Sequence, residues 1–235
     1  MNAYDKIVSA VQQVTIGGKT IEEAIDVIRT EDLTECLFSS AQGDSSGPLA
    51  IGIAASPGAA TGKLCLSVDS VLDTVDASEK AIMVAMETGP ADEPGMRWSA
   101  GIVTAHGGLA SHAAIYSRGL GLPAVCGVTD LVVQESSITI GSILINEGDL
   151  ISIDGATGEL FKGAIDISEA ETPEELDTLL RWCDEVRKGC LGVRANADTS
   201  EEALEAIRSG ADGIGLCRTE HMFLGDRLQA IRKVL

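Results

Sequence analysis

Aromatic residues are scarce. Phe, Trp and Tyr make up 3% of the 235 residues, so a core must be built from Ala, Val, Ile and Leu within the 45% apolar total. Positive charge is scarce too: 17 Lys and Arg stand against 36 Asp and Glu, a formal charge of −19. Such a chain repels polyanions before contact, so neither nucleic acid nor an anionic membrane is an expected partner, and any phosphate site must be local. The six cysteines (Cys36, Cys65, Cys126, Cys183, Cys190, Cys217) include no CxxC pair, which leaves a disulfide framework or zinc site without support. No apolar run reaches 18 residues, and the opening MNAYDKIVSAVQQ carries Asp5 and Lys6 where a secretory leader needs an unbroken apolar stretch. A cytoplasmic protein with reduced thiols is the expectation. Internal repeats and low-complexity tracts are lacking as well.

What is there divides into four parts. Residues 1–45 read as a helical hairpin, with Ile7, Val8, Val11 and Val14 near helical spacing, a break at Gly17-Gly18, and Thr20 capping a second helix with Glu23 three residues on. AQGDSSGP (41–48) is rich in turn formers and marks a boundary. Residues 46–165 carry short apolar runs, LAIGIAA, GKLCLSV, AIMVAM, GIVTA, PAVCGV, ITIGSILI, LISID and GELFKG, that read as strands, with helices around Asp92–Ala100 and Ser111–Arg118. Residues 166–190 form an acidic linker helix entered at Pro173, with Leu176, Leu179, Leu180 and Val186 along one side. Residues 191–235 read strand, helix, strand, a parallel unit whose sheet edge and helix face both need neighbours. That region is expected to be disordered, swapped or packed against another copy, which makes a homo-oligomer one outcome.

One of the three histidines, His112, stands in GGLASHAAIYSRG between a glycine turn and a helix start near Ser111. The open N–H groups of a first helical turn suit an anion such as phosphate. Arg118, two turns along, can bring a planar fork of donors to it. A neutral imidazole in that place can serve as base, metal ligand or nucleophile. Metal binding lacks nearby ligands besides His106, and GLASH is not the GxSxG elbow of serine hydrolases. Attack on phosphorus needs only an accessible ring and donors for the phosphate oxygens. Spacing alone leaves open the plainer alternative, that His112 caps or packs against its own helix.

GGLASHAAIYSRGLGLPAVCG resembles the phosphohistidine segment of the phosphoenolpyruvate-utilising enzymes, with Gly-Gly, Ser-His and Gly-x-Pro elements in the family's order. ASPGAATGK (55–63) is similar to the opening of that family's mobile domain, ETGPADEPGMRWSAGIVT (87–104) to its approach to the histidine, and ISIDGATGELFKG to its closing hairpin. DEVRKGCLGVRANADTSEEALEAIRSGADGIGLCRTEHMF resembles the linker and barrel start of the pyruvate phosphate dikinase branch rather than the sugar-transport branch.

The resemblance implies an α/β protein: a swivelling β/β/α phosphohistidine domain with an N-terminal helical hairpin and a truncated (β/α)8 barrel start. It implies a phosphotransferase with paired acceptors. An ATP-grasp domain uses ATP and inorganic phosphate, the mobile histidine takes up the β-phosphoryl group, and a barrel converts pyruvate to phosphoenolpyruvate. Carried over by position, His112 would be the phosphorylated residue, Thr104, Gly107, Gly108, Ser111 and Arg118 would surround the phosphoryl group, and Arg218 would bind substrate in the barrel. No cofactor is expected on this chain, with Mg2+ expected in the complete enzyme. Its partners would be the ATP-grasp domain and the barrel, in cis or in trans.

Departures qualify the resemblance. Ala110 stands where threonine is usual, which removes regulation by phosphorylation at that hydroxyl. His106 stands where many members have arginine, weakening a phosphate contact or replacing it in a pH-dependent way. The nucleotide-binding segment, the magnesium-binding carboxylates and the proton-donor cysteine of the later barrel are not in these residues. The leading expectation is therefore the carrier portion of a dikinase-like enzyme, incomplete for the full reaction. The alternatives are a free-standing phosphohistidine carrier or regulatory interaction protein working with separate chains, and a vestigial fold, against which His112, Ser111 and Arg118 count. Arg218 could instead be solvated or paired to Glu220; loops after barrel strands favour the substrate role. His221 is expected to be structural, Cys217 a small buried hydrophobe without chemistry, and Asp92 and Glu93 helix-start residues explained by capping and dipole. The acidic run 166–185 reads as a solvated helix face.

Overall fold

The computed structural model describes residues 1–42 and 47–218; the readings for Glu220 and His221 fall outside the described residues. Three helices open the chain, α1 (Ala3–Thr15), α2 (Ile21–Asp26) and α3 (Thr30–Leu37). Thr20 caps α2 as the sequence predicts: its Oγ1 accepts from the Glu23 N–H at 3.2 Å, and the Glu23 carboxylate accepts from the Thr20 N–H at 2.9 Å. The third helix adds to the expected pair. It is nucleated by the Asp32 carboxylate, which accepts from the Arg29 N–H at 3.0 Å, a side-chain-to-backbone closure of the first turn.

Short strands then alternate with helices: β1 (Ser40–Gln42), β2 (Ala50–Ile51), β3 (Ile53–Ser56), β4 (Ala59–Cys65), α4 (Val68–Asp76), β5 (Ala81–Ala85), a 3-10 turn (Pro90–Asp92), α5 (Glu93–Trp98), β6 (Gly101–Thr104), α6 (His112–Leu120) and β7 (Ala124–Cys126). They are followed by β8 (Leu131–Val133), β9 (Ser137–Ile140), β10 (Ile143–Asn146), β11 (Leu150–Asp154), β12 (Glu159–Lys162) and β13 (Asp166–Ser168). An eight-stranded sheet has the order β2-β12-β11-β4-β5-β6-β7-β3. Its centre, β4 to β7, is parallel; β11, β12, β2 and β3 pair antiparallel at the flanks.

Alternation along the central strands sorts side chains to two faces. Ile82, Val84, Val103 and Val125 pack with Ile138, Ile140 and Ile145 of the three-stranded antiparallel sheet β10-β9-β8. Met83, Ile102, Ala124 and Cys126 point the other way, under Val71 of α4, Met96 of α5 and Ala113 and Ala114 of α6. The result is three layers, sheet on sheet on helices, the mixed α/β architecture the sequence led us to expect. Ala113 and Ala114 matter because small side chains let α6 sit close to the sheet.

A separate core joins the segments that precede and follow this sandwich in the chain. The helix α7 (Glu175–Arg187) buries Leu176 and Leu179 against Ile7, Val11 and Cys36, with Trp182 packed alongside. Leu180 and Val186, predicted on the same side, stay 44% and 47% exposed, because the partner helices cover only the Leu176–Leu179–Trp182 side. The antiparallel pair β1–β13 lies beside this core, and Asp154 Oδ2 accepts from the Ala41 N–H at 2.7 Å. Beyond α7 come β14 (Arg194–Ala195), α8 (Ser200–Arg208) and β15 (Gly213–Ile214), the expected parallel unit. Helix α8 buries none of its residues, with Leu204 and Ile207 exposed.

Candidate functional site

Strands β5, β6 and β7 run parallel and side by side, so the loops leaving their C-terminal ends converge, the place where open α/β sheets hold their ligands. The loop after β6 runs from Ala105 to Ala110 and enters α6 at Ser111. Ser111 is the N-cap, with extended backbone (φ −69°, ψ 160°) and an Oγ that accepts from the Ala114 N–H at 3.4 Å. His112 is thus the first helical residue, as the sequence predicts.

Two glycines shape the approach. Gly107 has φ +111°, and a Cβ there would lie 2.8 Å from Ser111 Cβ. Gly127, just after β7, has φ +61°, and a Cβ there would lie 2.6 Å from the Gly107 carbonyl oxygen. Both a left-handed backbone and a close approach require glycine at these positions. Gly108 differs: nothing lies within 4 Å of where its Cβ would be, and its carbonyl accepts from the Ser111 N–H at 2.9 Å.

Beneath the loop stands Thr104, the last residue of β6, on the helix-facing side of the sheet. It is fully buried, and its Oγ1 has no hydrogen-bond partner among the described residues. That hydroxyl lies 3.9 Å from the position of a Cβ on Gly107, so it sits against the glycine turn. A buried unpaired hydroxyl costs free energy.

Arg118 reaches back over the loop from the last turn of α6. Its Nη1 donates to the Ala55 carbonyl at 2.9 Å and its Nη2 to the Leu109 carbonyl at 2.6 Å. The guanidinium therefore ties the glycine loop to β3. His106 is exposed, and its N–H donates to the Met86 carbonyl at 2.8 Å, which prolongs the β5–β6 pairing into the loops.

The His112 ring is fixed on three sides. Its Nδ1 lies 3.1 Å from Thr88 Oγ1, its Nε2 lies 3.4 Å from Glu93 Oε1, and its plane stacks on Tyr116 with centroids 5.8 Å apart at 23°. The Tyr116 hydroxyl in turn donates to the Glu93 carbonyl at 3.3 Å, while burial pushes its phenol pKa up. The His112 side chain is 29% exposed, so the ring can be approached from solvent.

Three of these contacts escaped the sequence reading. Tyr116 is one helical turn from His112 and could have been found from the i,i+4 spacing. Thr88 comes from the loop after β5, and only the parallel pairing of β5 with β6 brings it to the ring. Glu93 does lie in the first turn of α5, as expected of a dipole-complementing residue, but its carboxylate also turns toward His112. Asp92 behaves as expected, accepting from the Gly89 N–H at 2.9 Å.

The barrel-side residue lies elsewhere. The Arg218 N–H donates to Asp198 Oδ1 at 2.5 Å, and its Nη1 lies 3.1 Å from Asp198 Oδ2. Cys217 is half-buried rather than fully buried. Among the described residues no cluster of three His, Cys, Asp or Glu side chains could hold a metal ion.

A sheet with a parallel centre, layered on helices, thus carries a histidine at a helix start beyond its strand ends. The family model described as "PEP-utilising enzyme, mobile domain" matches residues 77–158, and "PEP-utilising enzyme, PEP-binding domain" matches residues 171–233. The chain belongs to the PEP-utilising enzymes. Within that family it is similar to pyruvate, phosphate dikinases. It is 40% identical over 222 residues to that of Clostridium symbiosum, covering 92% of this chain and 25% of the relative. To the chloroplastic one of Flaveria pringlei it is 40% identical over 233 residues, covering 96% and 24%. To that of Rickettsia felis it is 41% identical over 234 residues, covering 96% and 26%. The chain thus spans about a quarter of the length of these relatives. Among the described residues no helix is long and apolar enough to cross a membrane.

Proposed function

We propose that this chain is the phosphoryl-carrier portion of a pyruvate phosphate dikinase-like enzyme, with His112 as the residue that bears the phosphoryl group. The supporting observation is the ring's setting: solvent-reachable, held through Nδ1 by Thr88, and mounted at the start of α6 after a glycine turn that sits on the Thr104 hydroxyl, unpaired among the described residues. In the reactive tautomer Nδ1–H donates to Thr88 Oγ1 and Nε2 keeps its lone pair. Nε2 attacks phosphorus, the phosphorus–oxygen bond to the donor breaks, and the leaving oxygen takes the electron pair. At the acceptor the order reverses: an acceptor oxygen attacks, and the nitrogen–phosphorus bond breaks with its pair returning to Nε2. The N–H groups of the first turn of α6 and the hydroxyls of Ser111 and Thr104 are the donors for the phosphoryl oxygens. Gly107 and Gly108 let the backbone come close, and Arg118 clamps their loop.

Donor and acceptor sites belong to the rest of the longer relatives: a nucleotide-binding domain, and a barrel of which residues 191–218 supply the first strands. Arg218 is proposed as a substrate-binding arginine there, poised on Asp198. Mg2+ is proposed to bind elsewhere in the complete enzyme. The test is intact-mass measurement after incubation with phosphoenolpyruvate plus a barrel-bearing partner, or with ATP, phosphate and a nucleotide-binding partner. An acid-labile, base-stable gain of one phosphoryl group that His112→Ala abolishes is expected. Labelling that survives that substitution would overturn the assignment.

A further inference from the structure

The carboxylate facing Nε2 has no place in the scheme above. Glu93 Oε1 lies 3.4 Å from the nitrogen that must attack, on the side opposite Thr88. A carboxylate only accepts hydrogen bonds, so this contact requires a proton on Nε2. A protonated Nε2 has no lone pair to give. In the neutral ring Nδ1 is then the bare nitrogen, and the Thr88 hydroxyl donates to it; a hydroxyl can take either role. The two neighbours of the ring thus define two tautomers, and the Glu93 contact is a hydrogen bond only in the unreactive one.

Glu93 is also held in place. Its residue begins α5, and its backbone carbonyl accepts the Tyr116 hydroxyl, the same ring on which His112 stacks. Its side chain is 46% exposed, so it can swing away into water at little cost. Once a phosphoryl group sits on Nε2, the carboxylate stands beside a second negative charge. Unit charges about 4 Å apart in water repel by about 1 kcal/mol, roughly a fivefold factor in an equilibrium or a rate.

We infer that Glu93 is a positioning residue that holds His112 with its proton on Nε2 and opposes negative charge there, so that this carrier takes up a phosphoryl group reluctantly and gives it up readily. The inference rests on His112 being the carrier. Its consequence is directional: the carboxylate raises the free energy of the phosphorylated form relative to the free one.

The experiment uses the whole chain, labelled with 15N at histidine, as wild type and as Glu93→Ala and Glu93→Gln. The nitrogen shifts of His112 report the tautomer without any phosphoryl donor. Potassium phosphoramidate then serves as a small donor that needs no partner: Nε2 attacks its phosphorus and the nitrogen–phosphorus bond breaks to release ammonia. Wild type is expected mainly as the Nε2–H form. Glu93→Ala is expected to move the ring to Nδ1–H and to be phosphorylated roughly fivefold faster, with Glu93→Gln showing most of the rate gain because it removes the charge. Unchanged nitrogen shifts and an unchanged rate in Glu93→Ala would overturn the inference. Should the wild type and both variants all stay unphosphorylated at His112, the carrier assignment falls instead, while the nitrogen shifts still decide what Glu93 does to the ring.

Discussion

Thr104 and His112 need different chemical tests because they contribute differently. Thr104→Val keeps the shape and removes a buried hydroxyl that has no partner among the described residues, so the folded chain should be equally stable or more so, by about 1 kcal/mol. Phosphoryl uptake should nonetheless slow if that hydroxyl meets a phosphoryl oxygen; urea denaturation and intact-mass time courses on one preparation separate the two. At Gly107 the backbone decides. Gly107→Ala puts a Cβ 2.8 Å from Ser111 Cβ at φ +111°, and strain of about 1–3 kcal/mol is expected, together with loss of labelling at His112. Arg118→Lys should loosen the glycine loop, because an ammonium does not reproduce the planar fork that reaches both carbonyls. Faster amide exchange at Gly108 and Leu109 would check this.

At the scale of elements, α1 and α3 depend on one buried carboxylate. Asp32 accepts from the Lys6 ammonium at 2.5 Å and from the Arg29 N–H at 3.0 Å while only 3% exposed. The Lys6 bond first, and the Arg29 bond next, hold its pKa below the usual carboxylate range. A lowered folded pKa stabilises above the unfolded value of about 3.9, and that stability is lost as pH falls through the folded value. Asp32→Asn should therefore cost about 1–2 kcal/mol near neutral pH and flatten the loss of helix between about pH 4 and lower pH, followed by circular dichroism. Helix α8 is the opposite case. It has capping through Thr199, whose side chain accepts from the Glu202 N–H at 3.2 Å, yet buries no residue. Its amides are expected to exchange long before those of β5, β6 and α6, since protection follows packing. Hydrogen exchange resolved by peptide would show whether that order holds.

For the whole molecule, the three-layer sandwich and the bundle of α1, α2, α3 and α7 are distinct cores bridged by β1 and β13. Asp154 braces that bridge: it is buried, takes the Ala41 N–H with one oxygen and the Ala156 and Thr157 N–H groups with the other. Asp154→Ala leaves three N–H groups without their acceptor. It should destabilise by about 2–3 kcal/mol and increase proteolysis near residues 40–42 and 166–168, measured by limited digestion.

From the sequence alone came the identity of the elements around His112, because local chemistry writes them. Ser111 is a capping residue, the Gly107-Gly108 pair makes the turn, and Thr20 with Glu23 closes a helix start. Short apolar runs between turn formers marked the strands, and the family resemblance supplied the order of the parts. The sequence could not say what faces the ring, because contacts between residues 88, 93 and 112 follow from which strands lie side by side. Nor could it show that Arg118 reaches the Ala55 and Leu109 carbonyls, or bring α7 back onto α1. Those are consequences of long-range packing, where burial of Leu176, Leu179 and Ile7 together outweighs any local preference and decides which segments become neighbours.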